Sequence, residues 1–206
     1  MKNKWDKKVI GTKIKKRGAP MKKIVVLHTI LALLPGFLFA IDKPKITIIG
    51  TGYVGLVTGT CLAEIGNPVT CADINVSKIN GLNKGIMPIY ENGLESLVKK
   101  HSLSKRLSFT SDVPTAIAQA DIIFIAVDTP MSESGAADLT AIRRVIGTIA
   151  EHINHYKVIV TKSTVPIGTS IWIRDLLENQ YSISSDMFDV VSNPEFLRVI
   201  LIRFHR

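Results

Sequence analysis

Short apolar runs alternate with amphipathic stretches from Lys45 onward. Residues 45–49 (KITII) read as a buried strand, 53–65 as a helix, 69–72 as a second strand and 76–82 as a short helix. Residues 94–101 are helical, 107–109 form a short third strand, and 113–119 form a further helix. Residues 122–127 (IIFIAV) are a continuous, largely β-branched run, the pattern of a strand covered on both faces and therefore central. Apolar residues at Leu139, Ile142, Val145, Ile146 and Ile149 mark one face of a helix over 139–150. A strand over 158–161 follows, then a helix over 167–177 starting just after Pro166, a favoured first-turn residue, and a last strand over 189–192. Six strands alternating with helices predict an α/β fold: a doubly wound parallel sheet of about six strands with helices on both faces.

Before residue 45 the pattern changes. Residues 24–41 form an apolar run without Asp, Glu, Lys or Arg, and residues 1–23 hold ten Lys and Arg side chains against one acid, Asp6. Three readings stay open: a leader outside the fold, a membrane anchor, or a cleaved signal. Pro35-Gly36 interrupts the run, and cleavage after Ala40 would place Leu38 where a small residue is required. The expectation is a non-structural leader over 1–43, with a tether through 24–41 as the alternative.

That leader changes the meaning of the charge. The chain's net charge is +9, and residues 1–23 account for all of it, so the remainder sums to zero. A basic domain surface for nucleic acid is thereby not supported. Hydrophobic residues at 46% and charged residues at 21% exclude a wholly disordered chain. Two cysteines, Cys61 and Cys71, exclude a disulfide framework and a thiolate zinc site built from this chain alone. Both sit at core-like positions and are expected to be buried small hydrophobes. His152, His155 and Tyr156 read as surface polar residues, and no metal is expected.

The strongest chemical signal is Gly50-Thr51-Gly52-Tyr53-Val54-Gly55, a GxGxxG that follows an apolar strand and opens a helix. Gly50 allows a tight turn, Gly52 lets the backbone approach a pyrophosphate, and Gly55 lets helix and strand pack closely. The helix N-terminus offers free N–H groups and a positive dipole end to an anion. Asp73 closes the second strand, where a carboxylate accepts hydrogen bonds from ribose hydroxyls and repels a 2′-phosphate, so NAD is expected over NADP. Asp128-Thr129-Pro130 and residues 162–169 (KSTVPIGT) lie at the carboxyl ends of the fourth and fifth strands, where such sheets bind ligands. Residues 192–198 (SNPEFLR) follow the sixth strand and bring Glu195 to the same crevice as a candidate general base.

Taken together, KITIIGTGYVGLVTGTCLAEIGN, the Asp73 strand end, PIYENGLESL, Thr129-Pro130, KSTVPIGT and NPEFLR occur in an order that resembles the UDP-glucose 6-dehydrogenase family, within the wider nucleotide-sugar dehydrogenases. The resemblance covers residues 45–198. It implies a Rossmann-like fold and an enzyme that oxidises the C6 alcohol of UDP-glucose twice, with two NAD⁺, to UDP-glucuronate in the cytoplasm. It implies that Gly50, Thr51, Gly52, Tyr53, Val54, Gly55, Asp73 and Lys78 hold the adenosine and pyrophosphate side of NAD. Val127, Asp128, Thr129, Pro130, Ser163 and Thr164 would flank the rest. Thr164 and Glu195 match the catalytic Thr and Glu that position and activate the hydrolytic water. Glu195, Phe196, Leu197 and Arg198 match a segment lining the sugar-nucleotide site.

The chain also departs from the family pattern. NPEFLREG becomes NPEFLRVI, with Val199 in place of a second Glu, and YEPGL reads Tyr90-Glu91-Asn92-Gly93-Leu94. The expectation is a dehydrogenase domain over 44–206 without the family's central helix and C-terminal UDP-binding domain. That second half carries the nucleophilic Cys, which neither Cys61 nor Cys71 matches. The chain is therefore expected to be inactive alone, and a homodimer is expected only for the full-length enzyme. A dehydrogenase half for GDP-mannose or UDP-N-acetylmannosamine, and a non-catalytic NAD-binding module, are the alternatives.

Overall fold

A computed structural model describes residues 42–132 and 135–194. Residues 1–41 of the expected leader, and Glu195, Phe196, Leu197 and Arg198, lie outside the described residues.

Six parallel strands form one sheet: β1 (Ile46–Ile49), β2 (Val69–Ala72), β3 (Leu107–Thr110), β4 (Ile122–Ile125), β5 (Lys157–Thr161) and β6 (Phe188–Ser192), in the order β3-β2-β1-β4-β5-β6. Between them run α1 (Tyr53–Glu64), α2 (Val76–Asn83), α3 (Leu94–Leu103), α4 (Val113–Gln119), α5 (Thr140–His152) and α6 (Thr169–Asp175). This is the doubly wound Rossmann-like sheet, and its order reverses between β1 and β4. The β4 run is interior, paired on one side with β1 and on the other with β5.

Strand alternation divides the core in two. Ile46, Ile48, Val69, Cys71, Leu107 and Phe109 face Leu56, Ile79, Leu82 and Val98 of α1–α3. Ile49, Ala72, Ile123, Ile125 and Ile159 face Ile117, Ile142, Ile146, Ile149 and Ile173 of α4–α6. Helices therefore cover both faces of the sheet.

Two local expectations are corrected. Cys61 is exposed, whereas Cys71 is buried. Helix α1 meets the sheet with its smallest residues: a Cβ on Gly59 would sit 2.6 Å from Cys71 Sγ. The buried face is thus Gly55, Leu56, Gly59, Thr60 and Ala63, which turns Cys61 outward. The second correction concerns Pro166, which is not a first-turn residue. It sits in the turn before α6, where its carbonyl accepts from the Thr169 N–H at 3.2 Å and hydroxyl at 2.7 Å, and Gly168 (φ +90°) caps the helix. Beyond Asp175 the helix widens to a π turn over Leu176–Gln180.

Candidate functional site

The glycine turn joins β1 to α1 at the point where strand order reverses. Gly50 has φ +105°, and a Cβ there would lie 2.4 Å from the Ala126 carbonyl oxygen, so neither conformation nor space admits a side chain. A Cβ on Gly55 would lie 1.9 Å from the Gly50 oxygen, which lets the first turn of α1 press onto the strand end. Gly52 differs from both. Nothing lies within 4 Å of its Cβ position, and no side chain caps the first N–H groups of α1. Open space beside uncapped N–H groups is the cradle a phosphate requires.

Asp73 forms the second part of the site. Its Oδ2 accepts from the Thr51 N–H at 2.9 Å, the Thr51 hydroxyl at 2.7 Å and the Lys78 ammonium at 3.1 Å, and its Oδ1 accepts from the Asn75 N–H at 2.9 Å. Burial by itself raises this carboxyl. The bonds from Asn75, Thr51 and Lys78 outweigh it and hold the group below its ordinary value, so it is ionised. Oδ1 carries a single bond, leaving acceptor capacity for further hydroxyl donors.

The third part is a cleft of 170 Å³ across the ends of β1, β4 and β5. It is lined by Gly52, Tyr53, Val54, Val127, Asp128, Thr129, Ser163 and Thr164, together with Ala126 and Lys162. The sequence reading gave neither of the last two a cofactor-binding role, although Lys162 stands in the 162–169 stretch it placed at the strand ends. Ala126 is the residue against which the glycine turn closes, and Lys162 opens the KST segment, where a basic residue beside an anion-binding turn was the available signal. Ser163 is buried, and its hydroxyl donates to the Val127 carbonyl at 2.6 Å and reaches that of Ile125 at 3.3 Å, tying the ends of β4 and β5 together. The Thr129 hydroxyl donates to the Thr164 carbonyl at 2.8 Å, bridging the same two loops. Pro130 is exposed and outside the cleft lining, and Thr51 faces Asp73 rather than the cleft. Tyr53 donates its hydroxyl to the Tyr90 carbonyl, fastening the loop before α3 beside the glycine turn.

Residues 44–200 match the model of the UDP-glucose/GDP-mannose dehydrogenase family, NAD binding domain. The chain belongs to this family. Within it, the chain is 58% identical over 154 residues to the UDP-glucose 6-dehydrogenase TuaD of Bacillus subtilis, covering 75% of this chain and 33% of that protein. Identity to a second B. subtilis UDP-glucose 6-dehydrogenase, YwqF, is 50%, covering 75% and 35%. Among solved structures, a UDP-glucose dehydrogenase from Pyrobaculum islandicum superposes with TM-score 0.71 at 34% identity, covering 79% of this chain and 38% of that one. A GDP-mannose dehydrogenase from Pseudomonas aeruginosa gives TM-score 0.70 at 37% identity, covering 74% and 36%. The chain thus spans about a third of the length of the curated relatives it matches.

The family's cofactor is NAD, and the uncapped turn at Gly52 with the ionised Asp73 beside it fits a dinucleotide with unphosphorylated ribose. Among the described residues no His, Cys, Asp and Glu cluster could hold a metal ion, and no helix is long and apolar enough to cross a membrane.

Proposed function

We propose that this chain is the cofactor-binding part of an NAD-dependent UDP-glucose 6-dehydrogenase acting in the cytoplasm, with residues 44–206 as the dehydrogenase domain and 1–43 outside it. The observation that carries the substrate is the 58% identity, over 154 residues, to a UDP-glucose 6-dehydrogenase. The reaction converts UDP-glucose, two NAD⁺ and one water to UDP-glucuronate and two NADH, with protons released. Bound NAD⁺ supplies the hydride acceptor.

This chain's residues bind and orient. The N–H groups at Gly52, Tyr53 and Val54 receive the pyrophosphate, and Gly50 and Gly55 keep that turn in place. Asp73 accepts from the adenosine ribose hydroxyls, with Thr51 and Lys78 fixing its rotamer. Val127, Asp128, Thr129 and Pro130, with Ser163 and Thr164, flank the remainder of the cofactor. Thr164 and Glu195 position the hydrolytic water, and Glu195, Phe196, Leu197 and Arg198 line the sugar-nucleotide site. The family resemblance supports these roles, and a homodimer is proposed for the full-length enzyme only.

The cofactor test is calorimetric titration with NAD⁺ and NADP⁺. NAD⁺ is expected to bind more tightly, and Asp73→Ala to weaken it by about 1–3 kcal/mol, the worth of a hydrogen bond to a charged group. Equal affinities for the two cofactors would sink the assignment. The substrate test is NADH absorbance with UDP-glucose or GDP-mannose. The six-stranded unit is expected to bind NAD⁺ without producing UDP-glucuronate, because the second oxidation needs a thiol to hold the aldehyde and neither Cys61 nor Cys71 lines the cleft. An enzyme containing this unit is expected to prefer UDP-glucose, and preference for GDP-mannose would overturn that choice.

A further inference from the structure

A larger cleft lies elsewhere among the described residues. It encloses 770 Å³ between the end of α2, one face of α3 and the edge strand β3, and shares no lining residue with the cleft at the glycine turn. Its size is that of a small-molecule site. Its apolar floor includes Val98, Leu107 and Phe109. Its rim carries Lys84, Lys99 and Lys105 against a single acid, Glu95. The three ammonium groups make no ion pair or hydrogen bond among the described residues. This happens in a chain whose charge beyond residue 23 sums to zero, so the rim is a local excess.

Lys105 adds an independent observation. Helices α1, α2 and α3 end with the same pair of reverse hydrogen bonds. In each, a residue with positive φ follows the helix, and the N–H after it returns to a carbonyl five residues earlier: Asn67 to Leu62, Ile86 to Gly81, and Arg106 to His101. At α1 and α2 the positive-φ residue is Gly66 and Gly85, which adopt that backbone without strain. At α3 it is Lys105, at φ +57°. A long side chain is held where glycine is favoured, and it lines the cleft.

We infer that this cleft is a second ligand site, for a small phosphate-bearing molecule with a planar apolar body. The ammonium rim neutralises the phosphate, and the floor takes the ring. Lys105, at a position that favours glycine, completes the rim with its charge.

Pyridoxal 5′-phosphate is a suitable probe: its aldehyde condenses with a lysine amine, releasing water, and borohydride reduces the imine to a stable amine. Labelling of the full chain is done with saturating NAD⁺, which covers the lysines at the other cleft, and is read by peptide mass mapping. Saturable label concentrated on Lys84, Lys99 or Lys105, displaced by inorganic pyrophosphate, is the expected result. Lys105→Gly should fold with an equal or higher thermal midpoint and bind the probe about fivefold more weakly, the factor one contact ion pair is worth in water. Label spread over all exposed lysines, or unchanged affinity in a folded Lys105→Gly, would overturn the site.

Discussion

Gly50, Gly52 and Gly55 answer to different constraints, and substitution separates them. At Gly50 a methyl group meets the Ala126 oxygen at 2.4 Å and the backbone stands at φ +105°. Gly50→Ala is therefore expected to destabilise the fold by roughly 2 kcal/mol or more, from strain and overpacking together. At Gly52 a methyl group meets nothing within 4 Å, and φ is −77°. Gly52→Ala should leave the urea midpoint within experimental scatter. It should weaken NAD⁺ by about 1–3 kcal/mol, because the methyl occupies the space in which the phosphate makes its charge-assisted bonds. Parallel denaturation and titration of the two variants check this, and a Gly52→Ala protein with intact NAD⁺ affinity would remove the phosphate from that turn.

Lys157 shows how an element's first residue can control pH dependence. It opens β5 fully buried, and its ammonium donates to the carbonyls of Ala118 at 3.1 Å and Ala120 at 2.7 Å, at the end of α4. The His155 ring lies 3.2 Å from its Nζ, and Asp121 lies beyond that ring. Burial pushes its pKa down from 10.5 to about 8, with Asp121 opposing the shift. Between those values the unfolded chain binds a proton that the folded chain does not, so stability rises with pH. Burial pushes the Cys71 thiol up from 9.0 to about 12, so above pH 9 the folded chain keeps a proton that the unfolded chain loses, and stability falls. These two groups predict a rise of up to about 1.4 kcal/mol per pH unit between pH 8 and 9, a plateau from 9 to 10.5 and a fall beyond it. Lys157→Met should abolish the rise, as measured by urea midpoints across that range, and a rise that persists would assign it to another group. Sequence pattern could not reveal this residue, because a lysine beside an apolar run reads as the solvated strand end, and the strand was predicted from Val158. It placed β2 and α4 at their observed bounds, β2 stopping at Asp73 and α4 starting after Asp112, whose carboxylate accepts from the Thr115 N–H. It misjudged α1 and α6 for physical reasons of another kind. A helix apolar on all sides conceals which face its glycines press against the sheet, and the left-handed Gly168 delays α6 by two residues. The glycine turn and Asp73 were legible because each needs one residue type. Ala126 was not, since what places it is the approach of β4 to that turn.

At the scale of the molecule, the sheet is assembled from its centre. The first strand among the described residues, β1, is flanked by β2 and β4, and the site lies across its end. Its anchoring begins one residue earlier: the Lys45 N–H donates to Asp121 Oδ2 at 2.7 Å, and the Lys45 carbonyl accepts from Asp121 and Ile122. Lys43 contributes one exposed bond, to the Ile65 carbonyl at 3.1 Å. A polypeptide beginning at Pro44, the first residue of the family match, is therefore expected to keep its stability within about 0.5 kcal/mol and to keep its NAD⁺ affinity. One beginning at Thr47 should not fold, because it loses the Lys45 anchor and the buried Ile46 from the strand on which both halves of the sheet are built. Thermal midpoints and NAD⁺ titrations of the two shortened chains against the full chain separate these outcomes. If the chain from Pro44 unfolds or loses NAD⁺, residues 1–43 are part of the folded domain, and the leader reading of the basic and apolar segment fails.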